Sequence, residues 1–450
     1  MKVFMLGWEF PPHISGGLGT ACYGMTKGLD EIGVEVCFVL PTAIPVSAST
    51  HVTLRTPADV PSASGGPGDV ATDIFKRTKL RRVAATLSPY ATPESHELAV
   101  KRLLAMRRKG KGKGKTARAG DEVDMLFPEL SGGTFSPGAG AHYAGDLMAQ
   151  VYRYARLAIE IAELEDFDVI HAHDWMTYPA GIAGAAATGK PLVVHVHSTE
   201  FDRSGDHIDQ RIYDIERTGM HVADKVVCVS HFTRNIVISR YGVSPDKVEV
   251  VYNAVSLPAE ADLHMRPIKV NEKIVLFLGR VTMQKGPEYF LRAAKKVVEK
   301  YKNVRFVMAG SGDMITQCIR EVAELGIGRY VAFTGFLRGH DVDRIFSMAD
   351  LYVMPSVSEP FGIAPLEALS HNVPVIISKQ SGVSEVLSHV LKVDFWDIDE
   401  MANKILAVLR HKPLQKTLRQ HGQIELQKFS WHDSAVKLKD IYEGLAKSAN

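Results

Sequence analysis

Two glutamates eight positions apart, Glu359 and Glu367, are the residues of this sequence best suited to bind a polar ligand. Glu359 precedes the turn Pro360-Phe361-Gly362, after which a helix is expected to begin, and Glu367 is placed about two turns into that helix. The neighbours of Glu367 are small or apolar, so its carboxylate points inward and needs a partner. Free N–H groups at the helix start offer an anion site. The segment suits a ligand with hydroxyls and phosphates, and a pair of purely structural glutamates is the alternative.

A second loop carries two cations, Arg280 and Lys285, between a predicted strand and a predicted helix. Two positive charges at this place can hold a diphosphate and neutralise it as it departs, although two solvated loop residues would look the same in sequence. Gly310 lies in a third loop, Ala309–Asp313, which also follows a predicted strand. The carboxyl ends of strands are where α/β folds bind ligands.

Paired glycines, Gly16 and Gly17, follow the first predicted strand and open a helix that is expected to run to about Leu29. Glycines at a helix start let the backbone approach a ligand with its N–H groups directed at phosphate. The spacing is not G-x-G-x-x-G, so the fingerprint of a dinucleotide-binding site is absent. Taken alone, a Gly-Gly turn is a weak signal.

Four histidines form two pairs at predicted strand ends, namely His171 with His173 and His195 with His197. Residues i and i+2 of a strand share a face, so each pair has the geometry of half a zinc site. No cysteine stands at a supporting spacing in the sequence. We therefore expect these histidines to line a cleft, without a metal.

The elements that must position these residues are buried strands alternating with helical patterns, which predicts doubly wound parallel sheets. Two series of strands indicate an α/β protein with two Rossmann-like domains, at 1–262 and 267–430, joined through Ser256–Pro267 and followed by a helix at 431–450. The predicted strands are Lys2–Leu6, Glu35–Leu40, Val169–His171, Leu192–His195 and Lys225–Val229, then Lys273–Leu278, Val304–Ala309, Val331–Thr334, Leu351–Met354 and Val373–Ile377.

Composition agrees with a globular enzyme, since 450 residues allow two cores and the chain is 46% hydrophobic and 23% charged. The four cysteines are scattered, which indicates buried thiols in a reducing compartment and no disulfide framework. Met1–Gly7 lacks the features of a signal peptide. The sequence contains no run of about 18 apolar residues, so no membrane span is predicted. We expect a cytoplasmic protein.

Residues 45–140 interrupt the alternating pattern and are read as an insertion in the first domain, partly disordered. Within it, residues 76–120 hold 14 of the 53 Lys and Arg but only 2 of the 51 Asp and Glu, leaving 39 basic against 49 acidic residues elsewhere. A solvated loop is one interpretation, and a weak contact with a polyanion or a membrane surface is the other. No nucleic-acid partner is expected.

Together these motifs resemble the retaining glycosyltransferases of the GT-B fold, in particular the GT4 family that neighbours bacterial glycogen and starch synthases. The resemblance covers about 1–45 and 140–445, and its most specific element is the E-x7-E pattern of Glu359 and Glu367. It implies two domains facing a central cleft and a C-terminal helix that crosses back to the first domain. It also implies a nucleotide-sugar donor, UDP- or ADP-glucose, a carbohydrate acceptor and no metal.

The resemblance assigns a role to each candidate residue. Arg280 and Lys285 would hold the diphosphate, Glu359 the sugar hydroxyls and Glu367 the ribose hydroxyls. The remaining assignments are Gly16, Gly17 and Gly310 beside the donor, Phe361 and Gly362 through their N–H groups, Phe336 and Leu337 near the base, and His173 beside the transferred sugar.

One departure narrows the resemblance, because glycogen synthases that use ADP-glucose usually carry K-x-G-G and Ile14 stands at the lysine position here. Glucose transfer to an α-glucan is the leading expectation, and another glycan or a glycolipid is the alternative acceptor. A sugar-nucleotide 2-epimerase and a non-catalytic sugar-nucleotide sensor are the alternatives from other functional classes.

Overall fold

The computed structural model describes residues 1–11, 16–41, 52–55, 147–256 and 272–449. Its strands form two parallel sheets, one in each half of the chain. The prediction of a doubly wound α/β protein is therefore confirmed. Most of the insertion at 45–140, including 76–120, lies outside the described residues, as does most of the predicted domain boundary.

The first sheet has seven strands in the order β3-β2-β1-β4-β5-β6-β7. Its strands are β1 (Lys2–Leu6), β2 (Glu35–Val39), β3 (Thr53–Arg55), β4 (Val169–His173), β5 (Leu192–Val196), β6 (Lys225–Cys228) and β7 (Val248–Val250). The helices described with it are α1 (Gly17–Glu31), α2 (Leu147–Leu164), α3 (Tyr178–Thr188), α4 (Glu200–Ser204), α5 (Gln210–Val222) and α6 (His231–Tyr241).

The second sheet has six strands in the order β10-β9-β8-β11-β12-β13. Its strands are β8 (Lys273–Leu278), β9 (Val304–Ala309), β10 (Val331–Gly335), β11 (Leu351–Met354), β12 (Val375–Ser378) and β13 (Leu391–Val393). The helices that follow in this half are α7 (Pro287–Lys300), α8 (Ile315–Glu324), α9 (His340–Met348), α10 (Ala364–Ser370), α11 (Ile398–Arg410), α12 (Lys412–Leu426) and α13 (Trp431–Ala449).

Helices cover both faces of each sheet, which explains why the central strands are apolar on both sides. Val3 to Leu6 of β1, for example, are fully buried, because alternate side chains enter two different cores. In an open parallel sheet the crossover connections change direction once, and ligands bind at that point beyond the carboxyl ends of the strands. Here the reversals fall between β1 and β4 and between β8 and β11.

The last helix, α13, packs along α1 of the first domain. Two glycines on α1 make this close approach feasible, since a Cβ at Gly24 would lie 2.2 Å from the Trp431 ring and one at Gly28 would lie 2.5 Å from the Trp431 carbonyl oxygen. Farther along α13, the Tyr442 hydroxyl lies 2.5 Å from His171 Nδ1 on β4. The C-terminal helix thus joins the core of the first domain.

Some details differ from the sequence prediction. The sequence predicts Glu367 about two turns into its helix, but it lies in the first turn of the short helix α10. The reason is that Gly362 and Ile363 stay outside the helix. The last predicted strand begins at Val375, since Pro374 has no N–H to donate to the sheet. Three short strands were missed, namely β3, β7 and β13, and β3 lies inside the segment that was read as an insertion.

All four cysteines are buried, as predicted. In the described part of the chain, no helix has the length and apolar character needed to cross a membrane.

Candidate functional site

The loops after β8 and β11 meet at the strand reversal of the second sheet, and they bring a cation and a carboxylate into contact. Lys285 ends a short 3-10 turn after β8, and its Nζ lies 2.5 Å from Oε2 of Glu359 in the loop after β11. Ser356 Oγ donates to the same oxygen at 3.1 Å. The Glu359 side chain is 8% exposed and that of Lys285 is 23% exposed. The pair is therefore largely shielded from solvent.

Glu359 is held by its own backbone as well as by Lys285. Its N–H donates to the Gln380 carbonyl at 3.0 Å, and its carbonyl accepts from Gly382 N–H at 2.9 Å. These bonds fix the loop against the segment that follows β12, so the carboxylate is presented in a defined position. Such support from a rigid scaffold is what a binding site requires.

Arg280 lies at the carboxyl end of β8 and is exposed, with Nη2 at 3.5 Å from Gln284 Oε1. No ion pair joins its guanidinium to a carboxylate among the described residues. The structure thus places one paired and one unpaired cation in the same loop. An arginine with free donors beside a lysine is well suited to a ligand with two phosphates.

Glu367 is half-buried on α10, and its carboxylate accepts no hydrogen bond from any described residue. Burial, together with the Asp343 carboxylate, raises the pKa of Glu367 to about 7. Tyr352 of β11 lies near both glutamates, since the charges of Glu359 and Glu367 add to burial in raising its pKa. An acceptor without a protein donor on this side of the sheet is available to a ligand.

We expect Glu367→Gln to flatten the pH dependence of folding stability. Between about pH 4.5 and pH 7 the folded chain keeps a proton on Glu367 that the unfolded chain has released, so wild-type stability falls as pH rises through this window. The loss should be about 1–3 kcal/mol, because one pKa unit corresponds to about 1.4 kcal/mol and Glu367 keeps some exposure. Urea unfolding at about pH 5 and pH 8 measures it.

The control for this prediction is Glu299→Gln, which changes an exposed helical glutamate paired with Lys295. It should leave the wild-type difference between the two pH values in place. If Glu367→Gln retains the same difference, the raised pKa is not a property of Glu367.

Glycines at the ends of three adjacent strands let the loops of this site pack closely. Gly310 has φ +142°, and a Cβ there would lie 1.8 Å from the Gly279 carbonyl oxygen. Its N–H donates to the Gly335 carbonyl at 2.8 Å. The loops after β8, β9 and β10 therefore approach more closely than any side chain would allow.

Beyond β10, Phe336 and Leu337 lie at the edge of the same group of loops. The Phe336 ring is 52% exposed, and the Arg338 guanidinium carbon lies 5.1 Å from its centroid. Leu337 is half-buried against the second domain's core. An exposed aromatic face with an adjacent cation can stack against a planar ligand group.

The turn Pro360-Phe361-Gly362, which follows Glu359, is hydrogen-bonded to the first domain. The Pro360 carbonyl accepts from Ser230 Oγ at 2.5 Å and from Thr233 Oγ1 at 3.2 Å, both in the first domain. The N–H groups of Phe361 and Gly362 donate to no described acceptor, and Gly362 has φ +100°. Two backbone donors therefore remain for a ligand.

In the first domain, Gly16 and Gly17 are exposed at the start of α1, beyond the carboxyl end of β1. Gly16 N–H donates to Glu9 Oε2 at 3.1 Å, and a Cβ at Gly16 would lie 2.7 Å from that oxygen. Residues 12–15, which precede the pair, lie outside the described ranges. Within those ranges, no hydrogen bond or ion pair joins Gly16, Gly17 or His173 to the Lys285–Glu359 pair.

The four histidines form one buried cluster at the carboxyl ends of β4 and β5. His173 pairs with His195 in the sheet register, so the two i, i+2 pairs lie side by side. His173 Nδ1 is 2.9 Å from His197 Nε2, and His171 Nε2 is 3.2 Å from His195 Nδ1. Burial lowers the pKa of all four imidazoles, to about 3 for His171 and His197, so the cluster is uncharged at neutral pH.

Three ring nitrogens of this cluster have no hydrogen-bond partner among the described residues, although they are buried: His173 Nε2, His195 Nε2 and His197 Nδ1. Two sets of side chains bring one ligand atom each to within 4.8 Å of one another, namely Cys22 with His173 and His197, and His171 with His173 and His195. The expectation that these residues line a cleft without a metal remains a prediction.

Asp174 follows β4 directly and holds the end of β5 in place. It has φ +59°, unusual for a residue with a side chain, and its Oδ1 accepts from His197 N–H at 2.7 Å and Ser198 N–H at 3.3 Å. Burial raises its pKa to about 7, against the lowering effect of Arg203. Strained backbone of this kind is frequent at functional sites.

Sequence reasoning missed a segment of the first domain that contacts the loops after β8 and β11. Helix α4 lies against the 3-10 turn of Lys285, and Asp202 Oδ1 accepts from Ser358 Oγ at 2.5 Å across the domains. The sequence carries a signal for α4, because Thr199 and Asp202 form a capping box in which each side chain accepts from the other's N–H. That pattern predicts a helix start but not its neighbour.

Comparison with known proteins follows the same division of the chain. Residues 115–257 match the family Glycosyltransferase Family 4, and residues 260–424 match Glycosyl transferases group 1. An uncharacterized glycosyltransferase of Methanocaldococcus jannaschii is 27% identical over 98% of each chain. A glycogen synthase of Mycobacterium tuberculosis is 22% identical over 98% of this chain and 94% of its own length.

Among solved structures, Anabaena HepE in complex with UDP and glucose is similar to this chain with a TM-score of 0.65 at 15% identity. The similarity covers 99% of this chain and 100% of that chain. At this identity it shows a common fold, and the two-domain architecture predicted from the sequence is confirmed.

Proposed function

Because this chain belongs to the glycosyltransferases of the GT-B fold, we propose that it is a retaining hexosyltransferase. Its donor is a nucleoside-diphosphate sugar, and its acceptor is a carbohydrate hydroxyl. The observation that carries the proposal is the Lys285–Glu359 pair at the strand reversal of the second sheet. The cation suits the diphosphate of such a donor, and the carboxylate next to it suits the hydroxyls of the sugar.

Donor binding exchanges the partners of this pair. The diphosphate is a stronger partner for Lys285 than a single carboxylate, and Arg280 adds donors from the other side of the loop. Glu359 is then free to accept hydrogen bonds from the sugar hydroxyls while Ser356 keeps its orientation. Gly310 and the N–H groups of Phe361 and Gly362 let the backbone approach the same ligand.

Glu367 is assigned to the ribose. Two adjacent hydroxyls can donate to one carboxylate, which offsets the cost of burying its charge. The base then extends toward Phe336 and Leu337, where an exposed ring is available for stacking.

Transfer proceeds at the cleft between the domains, where Gly16 and Gly17 approach the diphosphate from the first domain and His173 lies beside the transferred sugar. In a front-face reaction the bond from the anomeric carbon to the phosphate oxygen breaks as the acceptor oxygen bonds to the same face. The leaving phosphate takes the acceptor's proton. Arg280 and Lys285 stabilise the negative charge that develops, so the transfer needs no metal.

We assign glucose as the sugar, with UDP or ADP as the nucleotide and an α-glucan as the first acceptor to test. UDP and glucose in HepE and the similarity to a glycogen synthase support this choice. A glycan or glycolipid of another kind is the second acceptor class. The reducing cytoplasm, where buried thiols such as these four stay reduced, is the compartment that we propose.

A panel of UDP-, ADP- and GDP-sugars, assayed for nucleotide release with and without glycogen, tests this function. We expect release from UDP-glucose or ADP-glucose that rises when glycogen is added, because the acceptor completes the transfer. NMR of the product should show an α-linked glucose. An epimerised sugar nucleotide with no acceptor consumed would instead identify a 2-epimerase.

A further inference from the structure

Against the expectation drawn from the sequence, we propose that Cys22, His173 and His197 form a Zn²⁺ site at the carboxyl end of the first sheet. Cys22 lies on α1, His173 ends β4 and His197 follows β5, so three separate elements bring these side chains to one place. One ligand atom from each lies within 4.8 Å of the others. Cys22 and His173 are fully buried, and His197 is partly exposed.

The distances agree with those of a zinc site. Zinc bonds of 2.0–2.1 Å to nitrogen at tetrahedral angles place two ligand nitrogens roughly 3.3 Å apart. His173 Nδ1 and His197 Nε2 are 2.9 Å apart, so small rotations of the two rings are enough to admit the ion. Each ring also keeps a second nitrogen without a partner among the described residues, so ligation need not displace any other bond.

The ligand chemistry favours zinc over magnesium or calcium. Two imidazoles and a thiol are borderline and soft ligands, whereas hard cations prefer oxygen. Metal binding converts the Cys22 thiol to the thiolate, and its proton passes to solvent.

The neighbouring set of His171, His173 and His195 is the weaker candidate. Both nitrogens of His171 are already engaged, Nδ1 with the Tyr442 hydroxyl at 2.5 Å and Nε2 with His195 at 3.2 Å. Zinc at that set would have to displace the contact of His171 with either Tyr442 or His195. The set with Cys22 leaves both contacts of His171 intact, and with three protein ligands it leaves a fourth position for solvent.

Occupation of the site has a consequence that rests on the proposed function. His173 is the residue assigned to the side of the transferred sugar, and a ring bound to zinc cannot also contact the sugar. Zinc should therefore inhibit transfer, and a chelator should reverse the inhibition. The metal would act as a regulator of the enzyme and not as its cofactor.

Direct binding tests the site without any assay of activity. The full-length protein, stripped with a chelator, is titrated with Zn²⁺ by equilibrium dialysis and with Co²⁺ by absorption spectroscopy. We expect a single equivalent of either metal and a thiolate-to-cobalt charge-transfer band. Cys22→Ser should abolish the band and weaken binding by at least roughly a hundredfold, since loss of even an outer-shell partner costs about 10–100-fold.

Cys228→Ser is the matched control, because Cys228 is an equally buried thiol that packs in the core on the other face of the same sheet. It should bind both metals like the wild type. Thermal unfolding of both variants without metal shows that each is folded. Absence of the charge-transfer band in the wild type overturns the site without requiring any variant.

Retained binding in a folded Cys22→Ser protein also overturns the proposal and points to the all-histidine set. Failure of the proposed transferase function would leave the binding result unchanged. Failure of the zinc site would leave donor turnover unchanged, so the two ideas are tested separately.

Discussion

Replacing Lys285 with alanine is expected to lower kcat for sugar transfer by roughly 10²–10³-fold. Lys285 is the cation in contact with Glu359 at the strand reversal, and in the proposed reaction it stabilises the charge of the departing diphosphate. This interaction strengthens as the bond to the sugar breaks, so kcat should fall more than KM rises. Steady-state kinetics with the donor identified by the panel measures both constants.

Lys379→Ala is the control for this experiment. Lys379 is also paired with a carboxylate, Asp394, at 2.8 Å, but its side chain is 54% exposed. An exposed ion pair contributes little to stability, so its removal should cost little. Its kinetic constants should match the wild type, and a Lys285→Ala enzyme with unchanged kcat would remove Lys285 from the reaction.

The same substitution should weaken folding, because it leaves the shielded Glu359 carboxylate without its cation. Breaking a fully buried pair costs about 3–5 kcal/mol, and we expect less here since Lys285 retains contact with solvent. Adding Glu359→Gln to Lys285→Ala should recover much of the loss while activity stays low. A double-mutant cycle by chemical denaturation separates this effect from catalysis.

The sequence predicted the framework of this site well, because buried parallel strands are unusually easy to recognise. Largely apolar runs such as Lys273–Leu278 and Val304–Ala309 coincide with β8 and β9. The missed strands carry weaker signals. Val248–Val250 alternates with a glutamate, Leu391–Val393 alternates with a lysine, and both lie at sheet edges where one side faces solvent.

Contacts between distant residues were less accessible to sequence reasoning. Lys285 and Glu359 were each singled out, but their contact spans 74 positions and follows only from β8 and β11 being neighbours. The histidine cluster depends in the same way on the register that places His173 beside His195. The pairing of Asp202 with Ser358 joins two domains, and no local pattern specifies how domains meet.

A second large effect is expected from Gly310→Ala, which should destabilise the protein and disrupt donor binding together. The new Cβ would lie 1.8 Å from the Gly279 carbonyl oxygen, a backbone atom that cannot rotate away. The backbone at φ +142° is also strained for any residue with a side chain. Strain and overpacking cost about 1–3 kcal/mol each, so the free energy of unfolding should fall by about 2–6 kcal/mol.

Gly279 is adjacent to Arg280, so the displacement caused by Gly310→Ala reaches the loop that we propose to hold the diphosphate. The donor KM should therefore rise even at a temperature where the variant is fully folded. Gly328→Ala is the matched control, since a Cβ there meets no atom within 4 Å. It should stay within about 0.5 kcal/mol of the wild type with an unchanged KM. A Gly310→Ala protein with wild-type stability would show that the two loops can separate, and one that is destabilised but keeps its donor KM would place the diphosphate elsewhere.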